Sequence, residues 1–275
     1  VRFDYFQIDA FTDKPFAGNP AAVVALASWP DDDTLLQAIA EENNLAETAF
    51  FVREPAPLDP QAPDASPAFH LRWFTPTMEV DLCGHATLAA AHVLFNHLGH
   101  TDHAVRFSTK SGTLTVTRAA AASGSRLAMD FPSRPGVPVL DTKPLSAALG
   151  VQVAEAYVAR DYMAILPDED AVRAVRPDMD RVLALDRFAL MVTAPGRDCD
   201  FVSRFFAPAA GIPEDPVTGS AHCTLIPYWA KRLAKPNLAA RQLSPRGGSL
   251  DCINKGDRVS IGGHAITYMT GQIHL

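Results

Sequence analysis

From Ala86 to Phe95 the chain carries no acidic or basic residue of fixed charge on any face. A helix that is apolar all round has to be buried on all sides. A membrane is the wrong surrounding, because no uncharged apolar run reaches the roughly 18 residues that a spanning helix needs. The remaining solution is a central helix wrapped by a sheet. Ala221 to Ala230 poses the same demand, and Pro227 within it is expected to kink or shorten that second helix.

The two uncharged stretches sit in matching contexts. Arg72-Trp73-Phe74-Thr75-Pro76 precedes Gly84-His85-Ala86, and Arg204-Phe205-Phe206-Ala207-Pro208 precedes Gly219-Ser220-Ala221. Nearly half the chain separates Arg72 from Arg204. Each copy reads strand, proline, acidic residue, glycine, uncharged helix, which points to an internal duplication with two similar lobes and a cleft between them. Phe3–Phe11 alternates apolar and polar residues and Ala21–Leu26 is a short apolar run, and both predict strands, as do Thr48–Arg53 and Phe69–Phe74. Others follow at 105–108, 113–117, Arg126–Phe131, Glu155–Leu166, Arg187–Thr193, Phe201–Phe206, 259–261 and His264–His274. Asp31–Asn44 reads as an amphipathic helix with acidic residues at its start, and Asp168–Val175 as a short helix. Prolines 55, 57, 60, 63 and 67 mark a surface loop, and the small-residue stretch Ala119–Ser125 a linker. The expected domains are an N-terminal lobe, 1–118, and a C-terminal lobe, 126–275, whose last strand is free to cross to the first lobe.

Composition excludes several functions. With 24 Lys and Arg against 31 Asp and Glu, the net charge of −7 disfavours nucleic acid as a partner. The segment Val1–Phe11 carries Arg2, Asp4 and Asp9 and lacks the apolar core of an export signal, so the expectation is a cytoplasmic protein with reduced thiols and no membrane partner. Cys83, Cys199, Cys223 and Cys252 form no CxxC pair, and no HExxH or carboxylate–His spacing appears, so no metal site is expected. Phosphate-loop and serine-hydrolase templates are absent as well.

The candidate chemistry gathers at the starts of the two uncharged helices. Asp81-Leu-Cys-Gly-His-Ala-Thr87 opens the first, and Glu214-Asp-Pro-Val-Thr-Gly-Ser-Ala221 opens the second. Gly84 and Gly219 let a ligand approach the backbone, and unpaired N–H groups at a helix start suit a carboxylate. Ordinary capping by Asp, Thr and Ser is the competing reading. His85 is either a titrating acid/base group or a hydrogen-bonded histidine at a helix start. Cys83 is either a thiol activated by the helix or a small buried apolar residue. His92, two turns into the helix, reads as structural. Glu47 lies just ahead of the apolar strand Phe50–Val52; it is a solvated edge residue unless burial turns it into a proton shuttle.

At these motifs the chain resembles the PhzF-like family, named for the phenazine-biosynthesis isomerase. The matching segments are Asp9–Ala21 (DAFTDKPFAGNPA), Asn44–Phe50 (NLAETAF), Leu71–Pro76 with Asp81–Thr87, and Arg204–Pro208 with Glu214–Ala221. The resemblance implies the diaminopimelate-epimerase-like α+β fold, with two similar lobes, each a curved, mostly antiparallel sheet around a central helix. It implies a cofactor-independent isomerase with Glu47 as proton shuttle. The family's other polar site residues match His85, Asp215 and Ser220, and its glycines match Gly84 and Gly219. Related racemases use two facing cysteines; this chain keeps Cys83 but has Asp215 in the corresponding region of the other lobe.

The expected activity is therefore proton transfer on a small carboxylated metabolite, with Glu47, His85 and Asp215 catalytic and Gly84, Gly219 and Ser220 binding. A Cys83-dependent epimerase and a catalytically silent binding protein are the rival readings. A homodimer is compatible with the chain.

Overall fold

A computed structural model describes residues 1–55, 68–118 and 126–275. Apart from Pro55, the proline-rich loop and the linker expected at 119–125 lie outside the described residues. The first half runs β1 (Arg2–Ala10), β2 (Asn19–Leu26), α1 (Thr34–Asn43), β3 (Glu47–Arg53), β4 (Ala68–Phe74), the two-residue β5 (Glu79–Val80), α2 (Gly84–Asn96), β6 (Ala104–Thr109), β7 (Gly112–Arg118) and β8 (Arg126–Pro132). Then come β9 (Val137–Pro138), α3 (Lys143–Leu149), β10 (Glu155–Val158), β11 (Tyr162–Ile165), α4 (Glu169–Ala174), α5 (Met179–Leu183) and β12 (Leu190–Pro195). The chain continues through β13 (Phe201–Phe206), α6 (Gly219–Leu233), β14 (Asn237–Gln242) and β15 (Gly248–Asn254) to the long β16 (Arg258–His274).

These elements form two compact units. The first comprises Val1–Phe16, Pro20–Asp130 and Gly262–Leu275; the second comprises Ala17–Asn19 and Phe131–Ile261. The sequence boundary at 118–126 differs from this division. Leu127–Asp130 pair with Thr115–Arg118 of β7, which keeps most of β8 with the first unit.

In the first unit the strands follow the order β1-β2-β3-β4-β6-β7-β8, with β16 on the free side of β1 and also beside β8. The run therefore returns on itself. The second unit carries the order β15-β14-β13-β12-β11-β10-β9. The sheets are mixed, with antiparallel pairs in the majority and parallel pairs in both units. In the first unit β2 pairs parallel with β3 and β4 with β6; in the second β11 pairs parallel with β12 and β13 with β14. Parallel neighbours need a crossover, and every one of these four crossovers contains a helix: α1, α2, α4 with α5, and α6.

The all-round apolar helix is buried as its sequence demands. Every residue of α2 from Gly84 to Phe95 is buried, and the helix lies against β1, β3 and β7. Close approach needs small side chains, and Ala86, Ala89, Ala90 and Ala91 are all inaccessible. The second helix departs from expectation, because α6 runs unbroken through Pro227 to Leu233. Proline at 227 cannot donate to the carbonyl four residues earlier, that of Cys223. Arg134 N–H supplies the missing bond to that oxygen at 2.8 Å, so no orphan acceptor forces the helix to end.

The repeated arginines make matching contacts. Arg72 forms ion pairs with Glu79 and Asp33, and its guanidinium lies 5.1 Å from the Phe74 ring centre. Arg204 pairs with Glu214, donates to the carbonyls of Val172 and Val175, and lies 5.0 Å from the Phe206 ring centre. Asp33, at the start of α1, makes no capping bond and is committed to Arg72. Among the described residues, no helix is long and apolar enough to cross a membrane.

Candidate active site

Glu47 opens β3, opposite Ala21 of the parallel strand β2. Residues Cys83 and His85 stand at the start of α2, where Cys83 is the N-cap residue with extended backbone and makes no side-chain capping bond. The chain thereby brings three of the singled-out side chains together in the first unit. The Glu47 Oε2 lies 3.1 Å from His85 Nε2, and Cys83 Sγ lies 3.5 Å from His85 Nδ1. The imidazole is thus flanked by a carboxylate on one nitrogen and a thiol on the other. Thr87 Oγ1 donates to the Cys83 carbonyl at 2.5 Å and fixes the turn that carries both.

Burial sets the electrostatics. It pushes the Cys83 thiol, also facing the Glu47 carboxylate, up to about 11, so the thiol keeps its proton at neutral pH. Burial alone would lower the His85 imidazole, yet the Glu47 carboxylate beside it holds its pKa above the ordinary histidine value. Glu47 is thus no solvated edge residue: its side chain is 13% exposed and engaged with His85. The sequence spacing gave no sign of a metal-ligand set, but Glu47, Cys83 and His85 offer ligand atoms all within 4.8 Å of one another.

Asp215, Gly219 and Ser220 belong to the second unit. Asn19 Nδ2 donates to Asp215 Oδ1 at 2.7 Å, and Thr218 Oγ1 donates to Asp215 Oδ2. Gln242, from β14, donates to the Asp215 carbonyl at 2.7 Å and accepts the Thr218 N–H at 2.9 Å. The Asp215 carboxylate is therefore held by buried donors from two chain segments, and Gln242 fixes the backbone beside it. Thr218 is the N-cap of α6 but makes no side-chain capping bond, because its hydroxyl is spent on Asp215. The uncapped first turn starts at buried Gly219 and half-buried Ser220. Glu214 is neutralised by Arg204.

Sequence reasoning missed Asn19, Thr218 and Gln242 as partners of Asp215. Asn19 read as part of a Gly-Asn-Pro turn, and its amide instead also reaches the Val217 carbonyl at 2.9 Å. Gln242 carried no signal, since β14 and β15 were not read as strands. His92 is structural as expected, with Nε2 3.0 Å from Thr267 Oγ1.

The first unit thus holds a buried cluster of titratable side chains at the start of an apolar helix. The family model for phenazine biosynthesis-like proteins matches residues 8–271. An uncharacterized isomerase of Pseudomonas aeruginosa is 48% identical over the whole of both chains. The crystal structure of a phenazine biosynthesis protein of the PhzF family from Enterococcus faecalis is 44% identical, covers both chains completely and superposes with a TM-score of 0.89. A hydroxyproline epimerase from Agrobacterium vitis, 11% identical with a TM-score of 0.62 over 99% of this chain and 92% of its own, shares the fold. The protein is thus an isomerase. It belongs to the phenazine biosynthesis-like family.

Proposed function

We propose that the protein is a cofactor-independent isomerase that moves a proton on a small carboxylated metabolite. Glu47 is the shuttle: it takes the proton from one substrate carbon and returns it at another. The observation that carries this reading is the 3.1 Å contact between Glu47 Oε2 and His85 Nε2 in a buried setting. A carboxylate beside an imidazole has a partner that answers each change in its charge. Asp215 is assigned a positioning and polarising role, consistent with its fully engaged carboxylate. The uncapped helix starts at Gly84, Gly219 and Ser220 are assigned to substrate binding. Each unit is read as a curved sheet around one central helix, α2 in the first and α6 in the second.

The test is solvent deuterium incorporation into a panel of small carboxylates. Incorporation by the parent protein and its loss in Glu47→Gln support the shuttle. Incorporation undiminished in Glu47→Gln defeats it. A second reading, a thiol-dependent epimerase, is favoured by Cys83 Sγ lying 3.5 Å from His85 Nδ1. Cys83→Ala separates the two, because the Glu47 mechanism survives that change and the thiol mechanism does not.

A further inference from the structure

Glu47, Cys83 and His85 place a carboxylate oxygen, a thiol sulfur and an imidazole nitrogen within 4.8 Å of one another. Among the described residues no other group of three such side chains comes as close. We propose that the three form a binding site for a thiophilic divalent cation of the zinc type, and that the bound ion silences the proton chemistry of the same residues. The silencing rests on the function proposed above; the binding does not.

The geometry is near what such an ion requires. Zinc bonds of about 2.0–2.3 Å in a tetrahedral arrangement put neighbouring ligand atoms about 3.5 Å apart. The Cys83 Sγ and His85 Nδ1 are already 3.5 Å apart, and His85 Nε2 and Glu47 Oε2 3.1 Å. One imidazole gives an ion only one of its nitrogens, so one neighbour has to swing toward the other. Glu47 is the least confined of the three. Cys83 and His85 are fixed by the first turn of α2, which Thr87 ties to the Cys83 carbonyl.

The charges also close. A thiolate at Cys83 and a carboxylate at Glu47 offset the two positive charges of the ion, while His85 binds as the neutral ring. That balance matters where Cys83 and His85 are 5% and 3% exposed, because an uncompensated ion there would be expelled. In proton terms, uptake releases the thiol proton and the proton held on His85 and Glu47 to solvent. With the ion bound, its positive charge draws on the Glu47 carboxylate and lowers its basicity, so Glu47 no longer accepts a substrate proton. The mixed sulfur, nitrogen and oxygen donors select against magnesium and calcium, which take oxygen ligands. Three protein ligands leave a fourth position for water, as in zinc sites that remain open.

Cobalt(II) is the probe, because a cobalt–thiolate bond absorbs in the near ultraviolet and a four-coordinate ion absorbs strongly in the visible. The purified protein is expected to bind one equivalent with both signatures, to lose them on adding zinc, and to keep them in excess magnesium. Outer partners of metal ligands typically cost 10–100-fold in affinity, so losing a ligand in Glu47→Gln should cost about tenfold or more. Cys83→Ala should abolish the near-ultraviolet band, and Cys199→Ala, at a thiol elsewhere, should leave it unchanged. Far-ultraviolet circular dichroism checks that each variant folds, and Cys83→Ser replaces Cys83→Ala if that variant does not. The absence of stoichiometric cobalt binding, a thiolate band that survives both Cys83 variants, or unchanged affinity in Glu47→Gln overturns the site. Binding is read without turnover, so its failure leaves the isomerase reading standing, and failed deuterium incorporation leaves the metal site standing.

Discussion

The Glu47 carboxylate approaches His85 Nε2 to 3.1 Å, with the imidazole side chain 4% exposed and the carboxylate 13% exposed. Glu47→Gln keeps the shape of this contact and removes the carboxylate proposed as the shuttle. A single positioned acid/base group is worth about 10²–10⁴ in rate. Deuterium incorporation should fall by that factor while the thermal unfolding midpoint stays close to that of the parent.

Acid destabilisation should report on His222. This side chain is fully buried in α6, hydrogen-bonded through Nδ1 to the Thr218 carbonyl, and burial pushes its pKa down to about 4. The unfolded chain, with a histidine pKa near 6.5, binds the proton more tightly. The stability tied to the neutral ring is present above about pH 6.5 and lost as pH falls toward about 4. The shift corresponds to a loss on the order of 3 kcal/mol. His92, also lowered to about 4 by burial, acts in the same direction. His85 has the opposite sign: its raised pKa contributes stability below about pH 6.5 that is lost as pH rises. Urea unfolding at pH 7 and pH 4.5 should show a smaller acid loss in His222→Gln than in the parent. An equal loss in both would remove His222 as a cause.

Packing around α2 leaves no spare room. Ala90 is wholly inaccessible, and the helix is buried on all faces. Ala90→Leu adds methylenes to a filled interior, which typically costs about 1–3 kcal/mol. Equilibrium urea unfolding should show a lower midpoint with an unchanged slope.

Arg204 is 8% exposed and held by Glu214 and two backbone carbonyls. Arg204→Ala removes the donor to Glu214 and to the Val172 carbonyl, while Val175 keeps its bond from Arg176. Breaking a buried pair from one side costs about 3–5 kcal/mol. Arg204→Lys should recover only part of it, since an ammonium cannot reproduce the two-pronged contact with Glu214. Thermal unfolding of both variants checks the order parent, Lys, Ala.

The sequence displayed what depends on local pattern. The absence of fixed charge from Ala86 to Phe95 defines α2, and alternation marks β1, β3 and β13 to within a residue or two. Glu47 and His85 were visible as titratable groups at element starts, and the family resemblance supplied the reason to join them. What stayed hidden depends on distant neighbours. Pro227 should have broken α6, and only the amide of Arg134 explains why it does not. The buried positions of β14 and β15 are few and include the polar Gln242 itself, so Gln242 gave no hint that it anchors Asp215 and Thr218. The thiol–imidazole–carboxylate order around His85 was equally invisible, because Glu47 reaches it from another strand.

The pairing of β1 with β16 has a consequence for how the molecule is made. Residues Arg2–Ala10 take their register from Ala265–His274. On a ribosome the first strand is therefore synthesised long before the neighbour that covers one of its edges. Through that interval β1 presents unpaired backbone groups, the kind of edge that recruits stray strands. All the residues of the second unit precede Gly262. The strands of that unit are therefore all available before the first unit, begun earlier in synthesis, receives its last one.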